Sequence, residues 1–391
     1  MGRFLRGLRR TSVAVLMIVV VAAPLTVTAI AASPSRPFGG RASSPSAGGL
    51  ASDNVTYVGT VPFEIGGAPS GARLVGDYLY VAGTRSFSIY DVSDPLAPAL
   101  ASITPTGPQF PNEDVDTNGK ILLIANEQLG RTLQVWDVEN KSSPQKLSEL
   151  TNIGDHTFTC VFRCSYAYGS RGSIIDLRDP ANAKLVGGWG QLPPNDGFDT
   201  TEVSPGMVLT ASRTITFLDG RKDVLHPTVI ALGGTDDHRL IHSLRWPNRG
   251  RDRFFLVQGE TPASQTCDEN SGAFMTWDTA GYRRTRSFTL VDEFRVPNGN
   301  FADGNPPANG LGCTAMWFQE HPDFASGGVV ASAFFEHGTR FLDVDRKGKI
   351  SEIGYFMPAG GETIATYWIT DEIVYAIDIT RGIDILQFDN A

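Results

Sequence analysis

Short apolar runs that end in small residues recur along the chain. They are YVAG at 80–83, LIAN at 123–126, YAYGS at 166–170, VLTAS at 208–212, FLVQGE at 255–260, VVASAF at 329–334 and VYAID at 374–378. Their starts lie 43, 43, 42, 47, 74 and 45 residues apart. Each is followed by an alternating apolar–polar run that often ends in Asp, as in FSIYD (87–91), LQVWD (133–137), SIID (173–176), ITFLD (215–219), FMTWD (274–278), RFLDVD (340–345) and IDILQFD (383–389). Alternation of this kind marks half-buried strands. With an inner strand before each pair and an outer strand after it, the unit has four strands in about 40–45 residues, the period of a β-propeller blade. The pattern predicts an all-β chain, a seven-bladed β-propeller over 55–391. The last blade runs out after three strands. The isolated run Val55–Thr60 is predicted to complete it and close the ring, which removes an open sheet edge. The one long spacing predicts an insertion at 261–312.

The first residues carry a different pattern. Residues 1–12 contain Arg3, Arg6, Arg9 and Arg10 and no acid, and 13–32 are apolar with the small-x-small sequence Ala29-Ile30-Ala31. This predicts an export signal over 1–32, by the Sec or the twin-arginine route, and hence a secreted or cell-surface protein. If the segment is not cleaved it is the chain's contact with a membrane. Residues 33–54, rich in Ser, Pro, Gly and Ala, are predicted to be a linker. Loss of the four arginines takes the formal charge from −9 to −13. An acidic chain is a poor nucleic-acid binder. The 42 Gly and 24 Pro in 391 residues exclude a long-helix protein and fit many tight turns. Four cysteines in an exported chain predict two disulfides, Cys160–Cys164 and Cys267–Cys313.

The stretch YVAGTRSFSIYDVSDPLAPAL (80–100) resembles the LVIVD repeat, and GTRFLDVD (338–345) and RGIDILQFD (381–389) resemble it too. The resemblance implies an exported propeller and no particular activity. A more distant resemblance is to the selenium-binding protein and methanethiol oxidase propellers, which implies a copper site built from histidines. No residue of this chain carries that site over.

Candidate chemistry falls at the starts of the inner strands, which rim one mouth of a propeller channel. Reading back from the small-residue strands gives Glu113, His156, Asp199 and His242, each 43 residues after the last. Two imidazoles and two carboxylates in a ring suit a polar ligand or a divalent transition metal such as copper. Asp114 and Asp155 are neighbouring alternatives, because a one-residue slip turns a side chain to the other face of its strand. His226, His238 and His321 read as turn residues. The six tryptophans read as packing between blades. No Gly-x-Ser-x-Gly, His-Glu-x-x-His or phosphate-loop motif is present. Two functions are therefore expected. The first is a monomeric binding or scaffold module for an extracellular protein, glycan or small molecule. The second is a metal-dependent enzyme, an oxidoreductase among the options, with its site at the channel mouth.

Overall fold

Alternation gives every strand two faces, and in this protein both are apolar through much of each sheet. A sheet with two apolar faces needs a neighbour on each side, and a ring of sheets supplies one. The computed structural model describes residues 48–63, 67–108, 115–127, 130–189, 197–234, 240–260, 272–296 and 312–389. The predicted signal at 1–32 and most of the predicted linker lie outside them. The described residues form seven antiparallel sheets. Blades 1 to 7 span 69–105, 115–151, 158–188, 199–234, 241–294, 318–358 and 363–388. Seven buried apolar clusters fill the seven wedges between adjacent blades. Four tryptophans serve there: Trp136 against Phe87, Trp246 against Phe217, Trp277 against Phe255 and Trp368 against Phe341.

The repeated aspartate has a local cause. Asp91, Asp137, Asp176, Asp219 and Asp278 end the third strands of blades 1 to 5. Each accepts at Oδ1 from the backbone N–H two residues on, at 2.6–3.1 Å. This Asx turn stops the strand and starts the path to the outer one. In blade 6 the role passes to Asp345, which accepts from the N–H groups of Lys347 and Lys349 at 2.7 and 2.9 Å.

The ring closes as the sequence predicts. Val55–Val61 pairs antiparallel with Gly382–Phe388 and becomes the outer strand of blade 7. Buried Asp384 holds the join: it accepts from the Thr60 hydroxyl and from Arg381, whose Nε lies 2.9 Å from Oδ2.

Two boundaries differ from expectation. Gly49–Ala51, in the stretch predicted as linker, pairs with Ile350–Pro358 as a fifth strand of blade 6. Its three residues have no visible alternation, so only the partner edge specifies them. The stretch 261–312 is not one insertion, because Phe274–Asp278 and Thr289–Phe294 within it are the third and fourth strands of blade 5. Cys160 and Cys164 form a disulfide. Cys313 is also disulfide-bonded; its predicted partner, Cys267, lies outside the described residues. Among the described residues no helix is long and apolar enough to cross a membrane.

Candidate functional site at the channel mouth

The position of each inner strand is fixed by its cross-strand partners. Tyr166, Met207 and Phe254 begin the second strands of blades 3, 4 and 5, and each faces the strand-ending Asp. Three residues further on, Gly169, Thr210 and Val257 face Phe158, Thr200 and Leu244 of the inner strands. Two residues back from those are His156, Phe198 and His242. Asp199 is therefore displaced by one place from the ring expected for it, and Phe198 takes that place. Glu113, the fourth expected member, lies outside the described residues, as do Asp114 and His238.

The side chains follow this register. The His156 ring lies 5.3 Å from Phe198 and 6.4 Å from His242, centroid to centroid. Phe198 lies 6.4 Å from His242, and Trp317 closes on His242 at 5.2 Å. Trp317 thus reaches the mouth while also packing against the core between blades 7 and 1. Gly197 permits the approach to Phe198: a Cβ there would sit 1.9 Å from the Ser170 carbonyl oxygen.

Each imidazole meets a carboxylate that sequence reading missed. Glu127 follows the second strand of blade 2, Ile121–Asn126, and Glu260 follows that of blade 5, Phe254–Gly259. His156 Nδ1 lies 2.9 Å from Glu127 Oε2, and the same oxygen accepts from Arg171 Nη2 at 2.8 Å. His242 Nε2 lies 3.5 Å from Glu260 Oε2. Arg171 is itself held, since Nη1 donates to the Gly154 carbonyl at 2.7 Å. Asp155, the alternative site residue, supports this corner from below. Its Oδ1 accepts from the Arg171 backbone N–H at 2.6 Å and its Oδ2 from Ser173 Oγ at 2.5 Å. Burial raises the Asp155 carboxyl above the usual carboxylate range, against those hydrogen bonds.

Asp199 has another task. It is fully buried, and its two oxygens accept from the N–H groups of Thr200 (2.6 Å) and Leu244 (2.9 Å). It joins the inner strand of blade 4 to that of blade 5. Burial pushes its carboxyl up to about 6, with the His242 charge pulling the other way. Asp116 makes the same join between blades 2 and 3, accepting from the Cys160 N–H at 2.7 Å and Thr159 Oγ1 at 3.0 Å. Among the described residues no set of three or more His, Cys, Asp or Glu side chains is disposed to hold a metal ion.

The other described histidines sit in turns or packing. His226 Nδ1 meets Asp223 at 2.9 Å on the surface, and His321 packs on Trp368 at 4.7 Å. His337 is buried, and its burial and the Arg340 charge lower its pKa to about 4, so it is neutral at pH 7.

The mouth can therefore offer two carboxylate-oriented imidazoles, one arginine and two aromatic edges to a small guest.

Comparison with known proteins agrees with the fold. Residues 66–106, which contain blade 1, match the LVIVD repeat. No curated protein matches the chain. Among solved structures, a chain of the "Crystal Structure of Mitotic Checkpoint Complex" is similar at a TM-score of 0.55 and 12% identity, over 94% of this chain and 100% of that one. At that identity the likeness is one of fold alone. The fold is thus a seven-bladed propeller with one LVIVD repeat matched in its first blade.

Proposed function

We propose that the chain is an extracytoplasmic binding propeller whose channel mouth takes a small polar ligand. The observation that carries this is the approach of His156 and His242 to 6.4 Å, each beside its own carboxylate, within a frame of Phe198 and Trp317. A disulfide in the Phe158–Gly188 blade supports an oxidising compartment. The basic start and apolar run of 1–32 support export. The test is a thermal-shift panel of sugars, polyols, amino acids and short carboxylic acids on the wild type and on the His156→Ala/His242→Ala double variant. At least one compound class should stabilise the wild type alone. If no compound separates the two proteins, the mouth is not the binding site. Mass measurement of the protein recovered from the medium reports export directly. A product that starts near Ala32 or Ser33 is expected.

The paired imidazoles also favour a second reading, a metal-dependent enzyme at the same mouth with Glu113, His156 and His242 as ligands. Metal analysis after dialysis against copper, zinc or manganese separates the readings. On the order of one ion per chain, lost in the double variant, selects the enzyme. A metal content near zero removes it.

A further inference from the structure

The opposite end of blades 4 and 5 carries a site of another kind. The inner strands run away from the mouth, so their far turns gather on the other face. There Met207, the end of Thr214–Asp219, the start of Thr228–Gly234 and the helical turn Tyr282–Thr285 enclose a cleft of about 490 Å³, and residues 203–205 and 249–251 wall the space beside it. A second lobe of about 270 Å³ continues it and shares Met207, Arg221, Tyr282 and Arg283 with the first.

The charge of this cleft opposes that of the chain. Its wall holds five arginines, Arg221, Arg249, Arg251, Arg283 and Arg286, against one carboxylate, Asp219. Asp219 is already engaged by the Arg221 fork, at 2.9 and 2.6 Å. Arg249, Arg251, Arg283 and Arg286 have no carboxylate partner among the described residues. Arg286 spends one donor on the Val229 carbonyl (2.6 Å), and Arg283 lies over the Tyr282 ring at 5.5 Å. In a chain of formal charge −9, four arginines left together without counter-charge are self-repelling.

The backbone adds an independent observation. Arg249 and Arg286 both stand in the left-handed region, at φ 57° and 58°, and Asn248 beside Arg249 has φ 54°. A residue with a Cβ costs about 1 kcal/mol or more there, and such strain gathers at ligand clamps. Glycine would remove the strain, yet two of these places hold arginine.

Beneath the guanidinium groups the floor is apolar: Met207, Phe217, Val229, Ile230 and the Tyr282 ring. A bare inorganic anion has no use for that floor, and an apolar molecule has none for the rim. We propose that this cleft binds a phosphate monoester on an apolar or aromatic body. Several guanidinium forks suit a dianion better than a single carboxylate, and the volume is that of a small-molecule site. The same chemistry is offered by a soluble organic phosphate and by an anionic phospholipid.

The experiment titrates the full chain with 1-naphthyl phosphate, 1-naphthol and inorganic phosphate, followed by calorimetry. The aryl phosphate should bind saturably, and more tightly than either fragment. The Arg249→Gln/Arg283→Gln double variant should weaken it by roughly tenfold or more. Arg284→Gln, on the same turn but outside the cleft wall, should leave it unchanged. Both variants change exposed side chains, and their thermal midpoints check that the fold is intact. The proposal fails if the aryl phosphate does not saturate, if the double variant binds it as well as the wild type, or if inorganic phosphate or naphthol binds as tightly. Vesicles containing phosphatidic acid then separate the sources. Vesicle binding that 1-naphthyl phosphate displaces identifies a lipid headgroup, and its absence identifies a soluble ester.

Discussion

The two faces of this propeller solve the problem of placing charge in opposite ways. At the mouth His156, Glu127 and Arg171 are mostly buried and bonded to one another, and His242 is buried beside Glu260. Removing such groups from water is expensive, so each must be paired within the fold. On the far face the arginines are exposed, water solvates them, and the fold leaves four without a carboxylate. The difference teaches that pairing follows burial rather than function. A paired cluster is fixed by its own hydrogen bonds, whereas an unpaired one keeps its charge turned to solvent.

Four measurements press on that contrast, the first with the largest effect. Glu127→Ala should lower stability by about 3–4 kcal/mol, because it strands a buried imidazole and the arginine beside it. Urea denaturation gives the value, and a loss below about 1 kcal/mol would mean the mouth is hydrated enough not to need its partner. Asp199→Ala comes next, at about 2–3 kcal/mol, since two buried N–H groups lose their acceptor. A similar loss in Arg283→Ala would break the contrast.

The third measurement is a pH profile. His337 is held near 4 in the fold, below its unfolded value, so the unfolded chain binds the extra proton between about 6.5 and 4. Its contribution to stability is complete above pH 6.5 and is lost as the pH falls through that window, by up to about 3 kcal/mol. Asp199, raised to about 6, has the opposite sign: the fold binds its proton more readily, and stability falls as pH rises from about 4 to 6. The urea midpoint at pH 5 should rise relative to that at pH 7 in His337→Gln and fall further below it in Asp199→Asn. The smallest effect belongs to the far face, where Arg249→Gln and Arg283→Gln should each stay within about 0.5 kcal/mol.

The contrast also explains what could be read from the chain. The blades were legible because strand alternation and the Asx turn at Asp91, Asp137, Asp176, Asp219 and Asp278 are local and repeated. The mouth was legible only to within one residue. From blade 2 to blade 5 the equivalent inner-strand positions are Val115, Phe158, Thr200 and Leu244, which lie 43, 42 and 44 residues apart. Their mean hides a shift at blade 4 that is undone at blade 5. The uniform step therefore names His156 and His242 but selects Asp199 over Phe198. Glu127 and Glu260 left a usable signal, since both stand directly after a small-residue strand. The far cleft left none. Its arginines come from three separate turns between 221 and 286, and only the ring brings those turns together.

The closing strand also bears on how the protein is made. Val55 faces Phe388 across the last blade, so one of the first parts of the domain to leave the ribosome cannot find its partner until nearly the last has followed. Contacts this distant in sequence are the slowest to form. Until then the Gly382–Phe388 edge stands open to any strand that passes, including that of another molecule. The hazard of assembly is thus concentrated at one seam and one moment, after which the ring has no end from which to unravel.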